Sequence, residues 1–412
     1  MKNGRKSKIA FIHPDLGIGG AERLIIDMAN ALLEKNEVIF VTNHFDQKHC
    51  FDDFRDKKYE ILVLGDWIPR SILGKCQALC AYIRMIYLII TYSLIYKKQQ
   101  NVDLYIVDLI PISIPFLKLA KERVIYYCHH PDLLSTTRDT ILKKIYRKPI
   151  DWLECKATKY SDITLVNSEY TASVFRETFP EIEIKIEVLY PTISLSLFEQ
   201  LSLSKRDIKI NSVVDNVPNN SLVFLSINRF HPAKRLEMAI EAMYHLKTRI
   251  EKSKWEQVYF IIAGGYDSRS SINASYFSEL QKLASKLDLE KKIIFLKSPS
   301  DDVKLQLLLT CHCLIYTPVK EHFGIVPLEA MMAKLPVIAC NSGGPRETVS
   351  HGQTGYLCET NSESLAEFVS KIIHDNNFQQ MGEKGRERLL DSFSNEMFSN
   401  KLNQIVGDAI EC

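Results

Sequence analysis

Neither sign of charge is in excess in this chain. Lysine and arginine total 52 against 50 acidic residues, a formal net charge of +2, so there is no whole-molecule field of the kind that gathers nucleic acid. Paired metal-ligand spacings are also missing. The ten cysteines are scattered, as at Cys50, Cys128, Cys155 and Cys340, and Cys311 and Cys313 stand closer than the usual C-x2-C form. This pattern excludes a zinc module and suits reduced thiols in a cytosolic compartment. A signal-peptide core is lacking too: Met1 to Lys8 is basic, but the apolar run Ile9–Ile12 is too short and meets Pro14. A chain that is not secreted would leave the Asn-x-Ser triplets at Asn219 and Asn273 unused.

The apolar stretch Cys80–Tyr96 falls short of the roughly 20 residues needed to cross a bilayer, and it includes Arg84. Three placements suit it. It could span a membrane with Arg84 snorkelling, lie in the interface with Tyr82, Tyr87, Tyr92 and Tyr96 at headgroup level, or be buried in the N-terminal lobe. Lys97 and Lys98 close the run, and its four tyrosines make the interfacial placement the favoured one. A second segment, with Arg138, Lys143, Lys144, Arg147 and Lys148 among Ile141, Leu142 and Ile145, reads as a basic amphipathic helix. It suits either a solvated face or contact with anionic headgroups.

A length of 412 residues exceeds one typical core and suits two domains. Strand Lys8–Ile12, a loop with Gly17, Gly19 and Gly20, a helical stretch Ala21–Leu33 and strand Glu37–Thr42 begin a parallel α/β sheet. Leu104–Val107, Val124–Tyr127 and Ile163–Val166 continue it. The second of these runs into His129 and His130, and ligands of open α/β sheets collect beyond the carboxyl ends of strands. Residues 1–195 form the expected first domain. After Tyr190–Pro191 periodicity is lost, so 196–220 reads as a connection. Alternating strands and helices over 221–390, with strands at Leu222–Ile227, Tyr259–Ala263, Ile293–Leu296, Cys313–Tyr316 and Val337–Ala339, indicate a second Rossmann-like sheet. Residues 391–412 carry helical spacing at Phe398, Leu402, Ile405 and Ile410.

The segment Glu321–Lys334 combines two carboxylates, Glu321 and Glu329, with a loop that turns into a helix. Pro327 suits a first helical position, and Val326 as N-cap has no oxygen for the free amides of the first turn. With Gly324 permitting close approach, the backbone of Gly324, Ile325 and Val326 forms an anion site suited to phosphate. The glutamates suit hydroxyls, so the whole suits a ligand with a charged middle and polyol ends. Arg229 stands just after a strand and Lys234 five residues later; together they can stabilise a departing diphosphate. Gly264 ends the next strand.

Glu-x7-Glu enclosing Phe-Gly-Ile-Val-Pro-Leu-Glu-Ala resembles the signature of retaining glycosyltransferases of the GT-B fold, two Rossmann-like domains facing across a cleft. His13–Arg23, Tyr127–Leu134, Pro149–Trp152 and Asn341–Pro345 resemble, more closely, the family of alpha-1,3/1,6-mannosyltransferases of dolichol-linked oligosaccharide assembly. That resemblance implies GDP-mannose as donor and a mannosyl-chitobiosyl diphosphate dolichol as acceptor, extended by an alpha-1,3 and then an alpha-1,6 mannose. It implies action at the cytosolic face of the endoplasmic reticulum membrane, beside other mannosyltransferases of the pathway. Catalytic roles fall on His129, Arg229, Lys234 and Glu321, and donor binding on Gly19, Gly20, Arg229, Lys234, Gly264, Gly324, Ile325, Val326 and Glu329, with Glu329 on the ribose and Glu321 on the mannose. The last helix would cross back to the first domain. No protein nucleophile is assigned. No Asp-x-Asp triplet is present, so neither a metal nor another cofactor is expected. The rival readings are a GT-B enzyme with another nucleotide-sugar donor and a catalytically silent membrane scaffold.

Overall fold

The computed structural model describes residues 5–56, 58–72, 74–136, 138–193, 208–375 and 378–411. The chain separates into two units, one running to Thr192 and resuming at Glu396, the other covering Ile193–Asn395. Of the expected connection at 196–220, the part up to residue 207 lies outside the described residues. Its remainder includes one short turn of helix at Ile210–Ser212.

The first unit is built on seven parallel strands: β1 (Ser7–His13), β2 (Asn36–Thr42), β3 (Glu60–Val63), β4 (Leu104–Asp108), β5 (Val124–Cys128), β6 (Ile163–Val166) and β7 (Lys185–Val188), in the order β3-β2-β1-β4-β5-β6-β7. Apolar runs form these strands because helices cover both faces of the sheet. In β1, Ile9 and Phe11 enter the core on one face while Ala10 and Ile12 enter the core on the other. Sequence reading overlooked the two edge strands β3 and β7, whose partly exposed Glu-Ile-Leu-Val and Lys-Ile-Glu-Val show little apolar signal.

Helix α1 (Gly20–Leu32) packs Leu24, Ile25, Met28 and Leu32 on the first face. Helix α2 (Gln77–Thr91) packs on the second, burying Tyr82, Met85, Leu88 and Ile89, and the helical stretch runs on to Gln100. At 24 residues that stretch is long and apolar enough to cross a membrane by length and composition. Its inner face nevertheless belongs to the core of the sheet, and the buried Arg84 reaches the backbone oxygen of Asn43 at 3.2 Å. The outer face leaves Ile83, Tyr87, Ile90, Leu94 and Ile95 exposed. Helix α3 (Ile141–Thr158) continues through Pro149, and the backbone N–H of Leu79 donates to Tyr146 Oη at 2.9 Å, tying α2 to α3.

Not every cation of α3 faces solvent. Arg147 is buried and paired with Asp132 at 2.7 Å and Asp151 at 2.9 Å, while Arg138 also binds Asp151. Lys143, Lys144 and Lys148 are exposed beside exposed Ile141, Leu142 and Ile145.

The second unit holds β8 (Leu222–Ile227), β9 (Val258–Gly264), β10 (Ile293–Lys297), β11 (Cys313–Tyr316), β12 (Val337–Cys340) and β13 (Gly355–Cys358), all parallel, in the order β10-β9-β8-β11-β12-β13. Helix α4 (Asp301–Thr310) lies between β10 and β11, and helix α5 (Ile325–Met332) between β11 and β12. The last helix, α6 (Asn395–Glu411), packs in the first unit, where Phe398, Leu402, Ile405 and Val406 share the core that holds α1. In each sheet the strand order reverses at the first strand, β1 or β8, which opens a crevice at its carboxyl end.

Candidate active site

In the second unit the loops leaving β8 and β11 meet at the switch point. Lys234 Nζ lies 2.5 Å from Glu321 Oε2, and the backbone oxygen of Lys234 accepts a 2.6 Å hydrogen bond from Thr317 Oγ1 just beyond β11. A residue from each loop is thus pinned to the other. Arg229 is exposed, with its stem running against Gly265 after β9. At Gly264 a Cβ would fall 1.9 Å from the backbone oxygen of Asn228, so only glycine lets β9 end this close to β8.

The start of α5 differs from the expected one. Gly324, not Val326, is the N-cap, with φ +85°, and Pro327 stands third in the helix. A left-handed backbone at Gly324 makes the sharp entry, and Pro327 costs nothing anywhere in a first turn, where amides lack intrahelical partners. A side chain at 324 would also press on the ring of Tyr316. No side chain caps this helix, so Ile325 and Val326 do contribute first-turn amides.

Glu329 consequently lies in the second turn, where the helix dipole gives it little. Its partner is Lys304 of α4, whose Nζ meets Glu329 Oε1 at 2.6 Å. Burial pushes the Glu329 carboxyl up, and Lys304 opposes the shift. Glu329 Oε2 is buried without a hydrogen-bond partner among the described residues. A carboxylate with one oxygen neutralised and the other unsatisfied is a ready acceptor for a ligand hydroxyl. Nothing in the local pattern marks Lys304, since its partner stands 25 residues away on another element.

In the first unit His129 follows β5, and its Nε2 lies 2.8 Å from Asp108 Oδ1 at the end of β4. His13, at the end of β1, places Nδ1 2.9 Å from Asp108 Oδ2 and Nε2 3.6 Å from Glu22 Oε1 in the first turn of α1. Burial disfavours the charged His13, yet Asp108 and Glu22 outweigh it and raise its pKa to about 9. Burial would likewise raise Asp108, but His129 and His13 hold it well below the usual carboxylate range. Gly19 is the extended N-cap of α1, without a side-chain cap, and the space beside Gly20 is open. His13, Glu22 and Asp108 escaped the sequence reading, although the strand-end position that singled out His129 applies equally to His13 and Asp108.

Near-complete alignment with named relatives decides the family. Alpha-1,3/1,6-mannosyltransferase ALG2 of Homo sapiens is 42% identical over 409 residues, 97% of this chain and 96% of that protein. The protein of the same name from Dictyostelium discoideum is 39% identical, covering 98% of this chain and 99% of its own length. This chain belongs to the alpha-1,3/1,6-mannosyltransferase family. Two broader family models agree: "Glycosyltransferase Family 4" matches residues 18–197 and "Glycosyl transferases group 1" matches 207–388. Among solved structures, a sucrose-phosphate synthase from Thermosynechococcus elongatus gives a TM-score of 0.73 at 18% identity, over 98% of this chain and 99% of that one. A glycosyltransferase from Rickettsia africae ESF-5 gives 0.73 at 20% identity, with 98% and 99% covered. These neighbours carry the GT-B fold. In this mannosyltransferase chain, then, the groups gathered at the two switch points belong to a glycosyltransferase.

The Lys304–Glu329 pair can be tested by stability. Lys304→Met alone should cost about 1 to 3 kcal/mol, because it strands a partly buried carboxylate. Adding Glu329→Gln should recover most of that loss in urea unfolding. Equal midpoints for the wild type and Lys304→Met would contradict the pairing.

Proposed function

We propose that this glycosyltransferase moves mannose from GDP-mannose, with retention, onto a dolichyl-diphosphate-linked oligosaccharide, adding an alpha-1,3 and then an alpha-1,6 mannose without a metal. It acts at the cytosolic face of the endoplasmic reticulum membrane. The observation that carries this reading is the near-full-length likeness to proteins named alpha-1,3/1,6-mannosyltransferase. The pairing of Lys234 with Glu321 and of Lys304 with Glu329 supports it and argues against a silent scaffold.

The chemistry follows from the charges. As the bond between the sugar carbon and the phosphate oxygen breaks, negative charge grows on the diphosphate, and Arg229 and Lys234 stabilise it in place of a metal ion. The first-turn amides of α5 take part of the same charge. Glu329 accepts from the ribose hydroxyls through its unsatisfied Oε2, Glu321 holds the mannose, and His129 contacts the transferred sugar. The leaving phosphate takes the acceptor proton.

The exposed apolar residues of α2 and the lysines of α3 suit a membrane surface rather than a span. An apolar face with adjoining cations gains both from burial at the headgroup boundary and from anionic lipid. Replacing Ile83, Ile90 and Leu94 by serine should therefore weaken binding to anionic vesicles while leaving thermal unfolding nearly unchanged. Undiminished vesicle binding would remove this face from the membrane account.

The deciding experiment supplies purified protein with GDP-mannose, the mannosyl-chitobiosyl diphosphate dolichol acceptor and excess chelator, followed by linkage analysis of the products. Alpha-1,3 and alpha-1,6 products are expected. Preference for another nucleotide sugar in a donor panel, strict need for magnesium or manganese, or no transfer would overturn the proposal. The two glutamates should also fail differently. Glu329→Gln should raise the KM for donor and weaken free GDP by roughly 1.5 to 3 kcal/mol. Glu321→Gln should lower kcat with GDP affinity kept. Calorimetry with GDP separates them, and severe GDP loss in Glu321→Gln would contradict the assignment.

A further inference from the structure

Four side chains far apart in sequence converge at the switch point of the first sheet, and the chemistry above uses only one of them. His13 is fully buried and Asp108 almost so, at 0% and 1% exposure. A buried carboxylate between two imidazoles costs folding energy, since desolvated charges are repaid only by good partners. Asp108 directs one oxygen to each ring, at 2.8 Å to His129 and 2.9 Å to His13. Glu22 stands behind His13 at 3.6 Å. Neither nitrogen of His13 makes an aligned hydrogen bond, so its part is that of a held positive charge. The aligned bond in the chain is the one between Asp108 and His129.

We propose that Glu22, His13 and Asp108 are positioning residues that act through His129, fixing the proton on its Nε2 and leaving Nδ1 as an acceptor for the sugar being transferred. Which nitrogen of a histidine carries the proton is set by the hydrogen bond made by the other, and a carboxylate on Nε2 demands an N–H there. His129, with 23% of its side chain exposed, reaches solvent at one end of the chain, as Glu22 does at the other with 18%. The charge order explains the length of the relay. His129 and His13 together keep Asp108 ionised despite burial, and Asp108 and Glu22 together keep His13 charged. An ionised Asp108 is what binds the Nε2 proton; a neutral amide could turn either its oxygen or its NH2 toward the ring. The inference rests on His129 being a site residue.

The test uses the full-length protein. In wild-type protein with 15N-labelled histidine, the His129 signals, assigned by their loss in His129→Ala, should show a proton on Nε2 and none on Nδ1. A proton resident on Nδ1 overturns the relay without any altered residue in the core. In transfer assays Asp108→Asn should lower kcat by about a hundredfold or more, with free GDP affinity unchanged. The double variant Asp108→Asn/His129→Ala should be no slower than His129→Ala alone, because a residue acting through another adds nothing once that other is gone. If His129→Ala retains full activity, the assignment of His129 as a site residue fails. If His129→Ala is impaired and Asp108→Asn is not, or the two losses multiply, His129 stands and the relay fails.

Discussion

A parallel strand covered on both faces can place polar side chains only near its ends, and this constraint organises the chemistry of both units. Along β1, β4, β5, β8, β9 and β11 nearly every side chain is apolar and buried, because helices occupy both sides of each sheet. The polar groups stand at the strand ends or just beyond them: His13, Asp108 and His129 in the first unit, Asn228, Arg229 and Thr317 in the second. The reversal of strand order at β1 and β8 parts the connecting segments to either side, so the loops beyond these strands surround a crevice.

Within those crevices, opposite charges hold each other in place. Lys234 and Lys304 face Glu321 and Glu329, so each carboxylate is oriented by a cation from another loop or helix. Pairing also limits the energetic cost of a partly buried carboxylate, which alone would tend to take up a proton. The arrangement is incomplete at Glu329, where one oxygen has no partner among the described residues. An unsatisfied acceptor costs stability and makes sense where a ligand supplies the missing donor. In the first unit the same economy is carried deeper, with Asp108 and His13 removed from water altogether.

Helix α2 divides its apolar residues between the core and the surface. Tyr82, Met85, Leu88 and Ile89 complete the core over the sheet, and Ile83, Ile90, Leu94 and Ile95 leave the opposite side apolar and exposed. The stretch is apolar on both faces, and its single arginine is turned inward to a backbone oxygen. Arg147, one of the five cations expected on the surface of this basic segment, is similarly buried and paired with Asp132 and Asp151.

What the sequence determined by itself was everything carried by local pattern. Short apolar runs marked ten of the thirteen strands among the described residues, the Glu-x7-Glu segment marked a loop entering an uncapped helix, and the quoted motifs pointed to the family. The edge strands β3 and β7 and the last strand β13 escaped because half-exposed or glycine-led segments bury too little apolar surface to leave a pattern. Tertiary structure alone decided the pairings: Lys304 with Glu329, and Asp108 with both His13 and His129. It also decided which face of α2 is inside and moved the start of α5 to Ile325. Pattern reports whether a residue prefers water, which depends on its own side chain and near neighbours. Partnership depends on which strands lie side by side, and in a parallel sheet those neighbours are joined by crossovers that separate them widely along the chain.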